Sequence, residues 1–193
     1  MNLTEHFQGL CTRPDGDLLE ALIRAHYAAA RDNANLSKQV VGEAAVGSGD
    51  FAKAAVAGLL SFGGLHGPVL QARSLLRNAT PEKISAILSD RSLRIPGWGN
   101  SFFKNRVDPA WDDVVVLLRE RPIWQTIEMI DAVVKSYGKT IHPNAALFSA
   151  ACMEEMVWLD GTEMLIVLVA RAPVWALEFA RATQALPRIP FVS

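Results

Sequence analysis

Apolar residues in this chain recur at three- and four-residue spacing almost from end to end, and that periodicity confines the fold to packed helices. Leu18, Leu19, Leu22, Ile23 and Tyr27 fall on one helical face after the turn Pro14-Asp15-Gly16-Asp17. Phe51, Ala52, Ala55, Val56, Leu59 and Leu60 repeat the pattern behind Gly47-Ser48-Gly49-Asp50, where Ser48 or Asp50 is placed to cap. Thr80-Pro81-Glu82 sets a capping oxygen before a proline at the first helical position and an acid in the first turn. Ile84, Ile87 and Leu88 give that helix its apolar face. Asp108-Pro109 repeats the device ahead of Trp111, Val114, Val115 and Leu118. Ile123, Trp124, Ile127, Ile130, Val134 and Tyr137 continue as another helix, which Gly138 closes. Pro143 opens a helix from Asn144 to Leu159 ended by Gly161, and a last helix runs from about Thr162 to Ala185. Period-two alternation over strand length is missing, so the expected class is all-α.

At 193 residues the chain can bury the core of one domain, or of one domain with a smaller one inserted. Half of it is hydrophobic and a fifth charged, a globular balance. A net charge of −1, with no basic cluster beyond Lys104 and Arg106, argues against a nucleic-acid partner. Two distant cysteines, Cys11 and Cys152, make neither a disulfide scaffold nor a zinc site. The first ten residues lack a basic region followed by an apolar run, so a reducing, cytoplasmic setting is expected. The apolar stretch Met164 to Ala180 is broken by Arg171, Pro173 and Glu178. Its uninterrupted part falls far short of the ~20 residues of a membrane span, so it reads as a helix buried in protein.

One long irregular segment, Arg94 to Val107, interrupts the helices, and its glycines and proline disfavour helix. Loops of that length inside compact domains are usually functional. Its core, Ile95-Pro96-Gly97-Trp98-Gly99-Asn100-Ser101-Phe102-Phe103-Lys104 followed by Asp108-Pro109, resembles the P-G-F-G-H-R-V-Y-K…D-P-R loop of the citrate synthase and citryl-CoA lyase superfamily. Gly63-Gly64-Leu65-His66-Gly67-Pro68 is similar to that family's G-x-L-H-G-G turn, and Pro143-Asn144-Ala145-Ala146-Leu147-Phe148-Ser149 to its P-N-V-D-F-Y-S. Asn35-Leu36-Ser37-Lys38 resembles N-A-S-T, and Ala170-Arg171-Ala172-Pro173-Val174-Trp175 resembles A-R-T-x-G-W. The segments occur in the family's order and span roughly residues 10 to 185, in a shortened member.

The resemblance implies a large helical domain, residues 1–68 and 143–193, with a smaller acyl-CoA-side helical domain, 69–142, inserted. It also implies a cleft active site, a homodimer packed through large-domain helices, and acyl-CoA as a substrate rather than a tightly bound cofactor. The family makes or breaks a carbon–carbon bond next to a thioester. An aspartate removes the α-proton, one histidine hydrogen-bonds the enolate oxygen, a second polarises the ketone of a keto-acid, and arginines bind its carboxylates.

Carried over residue by residue, His66 matches the enolate-stabilising histidine and Arg171 a carboxylate-binding arginine. Asn144 is assigned with Arg171 to the substrate, and Gly97, Gly99, Lys104 and Arg106 to acyl-CoA. Asn100 stands where the ketone-polarising histidine is expected; its amide can orient a carbonyl but cannot transfer a proton. Ala146 stands at the aspartate base, Ala110 replaces the arginine of D-P-R, and Ser101 the arginine after the histidine. Asp32 and Asn33 lie near the D-H that should precede N-A-S-T, without its histidine.

Each candidate has a plainer reading. His66 also reads as a turn or capping histidine, Asn100 as a turn asparagine, and Lys104 and Arg106 as solvated surface. Trp111, Trp124, Trp158 and Trp175 read as core. A buried guanidinium at Arg171 must meet an anion. That anion is either a protein acid, such as Glu154, Glu155, Glu178 or the more distant Glu163, or a substrate carboxylate. Losing a general base typically costs ~10²–10⁴-fold, and Asp108, Asp112 or Glu154 are the carboxylates available to replace it. Three functions follow: a Claisen or retro-Claisen acyl-CoA enzyme with altered acid–base groups, a non-catalytic paralogue acting as a ligand-binding or partner subunit, and a helical scaffold without ligand.

Overall fold

A computed structural model describes residues 7, 9–31, 36–61, 68–90, 93–99, 103 and 106–184. These residues form helices joined by turns: α1 Gly16–Arg31, α2 Leu36–Ser48, α3 Phe51–Leu60, α4 Pro68–Asn78 and α5 Pro81–Ser89. A 3₁₀ turn, Pro109–Trp111, leads into α6 Asp112–Arg119, then α7 Ile123–Ser136, α8 Ala145–Glu155 and α9 Glu163–Gln184. Among the described residues the only β pairing is two isolated bridges, Cys11 with Trp158 and Trp98 with Pro143. The class is all-α, as the periodicity requires.

The helix starts are where the sequence puts them. Asp50, rather than Ser48, caps α3, its carboxylate accepting from the backbone of Ala52 and Lys53. Ser48 instead donates to the Ala44 carbonyl. Thr80 caps α5 ahead of Pro81, and Asp108 caps the 3₁₀ turn by accepting from the Ala110 N–H. Gly138, at φ +69°, follows α7.

Helix α4 was not marked by the sequence analysis, although Val69, Ala72 and Leu76 bury one of its faces. Helix α8 stops at Glu155, four residues short of the expected Leu159. Trp158 N–H donates to the Met153 carbonyl and Val157 N–H to that of Glu154, so the helix closes in a Schellman turn. The left-handed residue of that turn is Val157, at φ +51°, where glycine is usual. The strain is sustained by pairing with the segment before α1. Thr12 and Arg13 donate to the carbonyls of Val157 and Met156, and Leu159 donates back to Leu10. A left-handed conformation costs an L-residue roughly 1–2 kcal/mol, and the Val157 side chain is exposed. Val157→Asn is therefore expected to stabilise the protein by roughly 1 kcal/mol, raising the melting midpoint by about 2–4 °C in calorimetry. An unchanged or lower midpoint would show that the valine makes contacts worth more than the strain.

Among the described residues most buried apolar side chains fall in two clusters. The larger joins Leu18, Leu19 and Leu22 of α1, Trp111, Ile127 and Ile130, Leu147, Phe148 and Met153 of α8, and Ile166 and Val167 of α9. The smaller packs Val41, Ala45, Ala54 and Trp175 where α2, α3 and α9 meet. Gly58 permits that meeting: a β-carbon there would lie 2.5 Å from Val41 Cγ2 and 3.3 Å from the Trp175 ring. Of the four tryptophans read as core, Trp111, Trp158 and Trp175 are buried. Trp124 is half-buried, with Arg119 over its ring and its indole N–H donating to Glu128. No described helix is long and apolar enough to cross a membrane. Helix α9 runs through Pro173, which cannot donate to the Val169 carbonyl, and buries Arg171.

Candidate active site

The irregular loop and the head of α8, separate in sequence, are bonded together. Asn144 caps α8 through its side-chain oxygen, which accepts from the backbone of Ala146 and Leu147. Its amide nitrogen donates to the Gly99 carbonyl at 2.7 Å, and its backbone N–H to that of Gly97 at 2.9 Å. Gly99 N–H returns a bond to the His142 carbonyl, closing the Trp98–Pro143 bridge. Gly97 and Gly99 hold φ of +83° and +89°. Gly97 is also obligatory by contact, since a β-carbon would sit 2.8 Å from Leu147 Cβ. Asn144 is thus the clasp between the loop and the helix that carries Ala146, and the two glycines shape the loop's end of that clasp.

Arg171 and Trp175, one turn apart on α9, both reach Ser37 of α2. The indole N–H donates to Ser37 Oγ at 3.2 Å and the guanidinium Nη1 at 3.4 Å. The two supporting segments of the resemblance, around Ser37 and around Arg171, are therefore in contact. The protein acids first considered for Arg171 are engaged elsewhere. Glu154 and Glu163 pair with Arg73, Glu178 with Lys38, and Glu155 accepts from the Ile123 N–H at the head of α7. Burial lowers the Arg171 pKa to about 10, against the attraction of Asp108. It remains a cation at neutral pH, and the charge of Asp108, of the D-P pair, acts on it. Of the acids suggested as a replacement base, Asp108 is half-buried and Asp112 is exposed. Glu154 is bound to both Arg73 and Arg77.

His26 is not among the residues that the sequence motifs single out. It lies on the buried face of α1, 3% exposed, with Nε2 2.9 Å from Ser149 Oγ. Ser149 spends its proton on the Ala145 carbonyl at 2.7 Å, so Nε2–H donates to Ser149 and Nδ1 carries the lone pair. Nδ1 is buried and has no hydrogen-bond partner among the described residues. The ring stands edge-on to Trp111 at 5.0 Å, and Trp111 stacks on Phe148. Ser149 is three residues from Ala146, on the same side of α8. Burial first, and then the nearby charge of Arg171, hold the His26 pKa well below its usual value of 6.5. The imidazole is neutral at pH 7.

This depression fixes a pH dependence. The unfolded chain takes up the proton near pH 6.5 and the folded chain only well below it. His26 therefore contributes stability that is complete above pH 6.5 and lost as pH falls towards the folded value. The slope reaches about 1.4 kcal/mol per pH unit in that window. Unfolding free energies of wild type and His26→Gln should diverge in slope below pH 6.5, the variant being flatter. Parallel slopes would place the proton uptake on other groups.

The remaining residues assigned from the sequence fall in two groups. His66, Asn100 and Lys104 lie outside the described residues. Arg106 is exposed and stacks over the Phe103 ring at 5.6 Å. Ala110 and Ala146 follow the caps of Asp108 and Asn144, to which their backbone N–H groups donate, and neither side chain carries a polar atom.

No protein-family profile and no curated protein sequence matches the chain. A solved structure does: citryl-CoA lyase from Hydrogenobacter thermophilus aligns with a TM-score of 0.74, covering 96% of this chain and 77% of the other, at 18% identity. A likeness at that identity establishes fold, and the fold is that of citryl-CoA lyase, all-α and citrate synthase-like.

Proposed function

We propose that the chain is an acyl-CoA-dependent enzyme that makes or breaks a carbon–carbon bond beside a thioester, with an altered set of acid–base groups. One observation carries this reading. On the fold shared with a citryl-CoA lyase, Asn144 ties the Gly97–Gly99 loop to the helix of Ala146, as an active-site wall requires. Arg171, buried and charged, suits a small carboxylate. In this reading His66 stabilises the enolate, Asn100 orients the second carbonyl, and Lys104 and Arg106 face acyl-CoA phosphates. The inserted segment 69–142 is the acyl-CoA side. Cys11 and Cys152 are not joined in a disulfide, in keeping with a cytoplasmic setting.

The proposal includes a two-fold homodimer. Val46, Phe51, Val56, Leu60 and Leu177 are exposed apolar residues on α2, α3 and α9, helices that fall in the expected large domain. Light scattering at micromolar concentration tests it, and a monomer would defeat it.

A second reading is favoured by Ala146, whose methyl group stands at the position of the base. It is a non-catalytic paralogue that binds ligand or partners an active subunit. Thermal shift with acetyl-CoA, CoA, oxaloacetate and citrate is the first experiment, since native-state binding must raise the midpoint. Turnover then separates the readings. In an enzyme, His66→Ala abolishes it, and Asn100→His with Ala146→Asp harms it. In a degenerate paralogue the wild type is inactive, and the double change can only help.

A further inference from the structure

Helices α4 and α8 are each 11 residues long and are tied together at their last turns. Arg77 is the last residue but one of α4, and its Nε donates to Glu154, the last but one of α8, at 2.7 Å. The rest of its guanidinium takes both oxygens of Asp160, just beyond α8, at 2.8 and 3.0 Å. Arg73, one turn earlier and buried, donates to the other oxygen of Glu154 at 2.6 Å. Two helices that pack together and meet at their C-terminal ends run side by side in the same direction. Their first residues therefore share the opposite end. Helix α8 starts there under its Asn144 cap, clasped to Gly97 and Gly99. Helix α4 starts there at Pro68, two residues after His66 in the chain.

Apolar packing alone does little to stop one of these helices sliding or turning on the other. Helix α8 is rich in small residues, Ala145, Ala146, Ser149, Ala150 and Ala151, and the buried face of α4 brings Val69, Ala72 and Leu76. Small side chains make shallow ridges and grooves, which fix alignment weakly. Arginine–carboxylate forks fix it well, because the planar donors accept one geometry. A single tie would leave the helices free to pivot about it; two ties one turn apart do not. The rigid rod of α8 carries that setting from Glu154 to Asn144, about 15 Å away at the helical rise.

We propose that Arg77 is a positioning residue, acting with Arg73 through Glu154 to align α8 with α4 and so to place the Asn144 clasp against the start of α4. The proposal rests on the acyl-CoA enzyme reading, in which the residues at those two helix starts serve one reaction. Arg77 is exposed, and the pairs of buried Arg73 with Glu154 and Glu163 survive its loss, so alignment is lost without unfolding.

Amide hydrogen exchange of the intact chain, read by NMR, tests this without any ligand. Asn144 and Gly99 N–H groups bond across the clasp, to the Gly97 and His142 carbonyls. In Arg77→Gln they are expected to exchange about ten-fold faster or more, over and above any change at Leu22 and Ala25 in the core of α1. Arg77→Lys keeps the charge but loses the fork, and should loosen the clasp as well. An unchanged clasp would overturn the proposal. So would faster exchange confined to residues 157–163, or spread evenly over the core. In turnover of an acyl-CoA, Arg77→Gln should lower kcat and leave KM in place, and a change in KM alone would again overturn it. Failure of acetyl-CoA to bind would remove the enzyme reading and leave the exchange result as it is.

Discussion

Arg73→Ala is expected to cost about 3–5 kcal/mol of folding stability, the typical penalty for breaking a buried ion pair by removing one partner. Arg73 is 1% exposed and sits on the inner face of α4. Its Nε donates to Glu154 of α8 at 2.6 Å, Nη1 to Glu163 at the head of α9 at 2.5 Å, and Nη2 to the Trp158 carbonyl at 2.9 Å. Asp160 lies 2.9 Å away as well. One side chain thus satisfies two carboxylates and a carbonyl in the turn that links α8 to α9. Glu163 is itself almost wholly buried, and alanine would leave its charge there with only the Gly161 N–H. Arg77, one turn along, is exposed and holds Glu154 and Asp160 from outside, so it compensates little. Urea unfolding of Arg73→Ala should show the loss as a lowered midpoint at unchanged slope. Adding Glu163→Gln should restore part of it, because the stranded charge is then gone. A loss under about 1 kcal/mol would mean that the network is solvated and merely decorative.

Arg73 also marks what a sequence can and cannot show. Helix starts were legible because each is a local rule. Thr80 with Pro81, Asp50, and Asp108 with Pro109 satisfy backbone N–H groups two or three residues away. The clasp between Gly97, Gly99 and Asn144 was legible only as two segments. Each held glycine or cap chemistry, and their bonding needs the fold. Arg73 was not legible at all: its acids lie 81 and 90 residues further along the chain, and within its own helix it reads as one more surface cation. His26 is the same case at longer range, since its partner Ser149 is 123 residues away. Four and seven residues after Leu22 and Leu19, it occupies the apolar stripe of α1, and that position alone was its signal. The end of α8 was misplaced because the rule looks for glycine. Gly161 offered one, while the turn used Val157 and drew its support from residues 10–13.

The second large effect concerns the other buried arginine, and its expected sign on stability is different. Arg73 is surrounded by acids. At Arg171 burial outweighs the attraction of Asp108, and the guanidinium pKa falls to about 10. Burial disfavours that charge in the folded state. Arg171→Met preserves length and apolar contact on α9 and removes the charge. It is expected to leave unfolding free energy unchanged or to raise it, where Arg73→Ala lowers it steeply. Its effect should appear on ligand instead. Losing one partner of a buried charge pair typically costs a complex 2–5 kcal/mol, so affinity for the small carboxylate should fall by about 30-fold or more. Affinity for acetyl-CoA, assigned to the other side of the site, should hardly move. Calorimetry on the two ligands, beside urea unfolding of the same variant, gives all three quantities. If Arg171→Met unfolds the protein as readily as Arg73→Ala does, the residue is a structural strut. If it binds carboxylate like wild type, the anion site lies elsewhere. Only a stable variant with a lost carboxylate and a retained acyl-CoA would assign Arg171 to substrate.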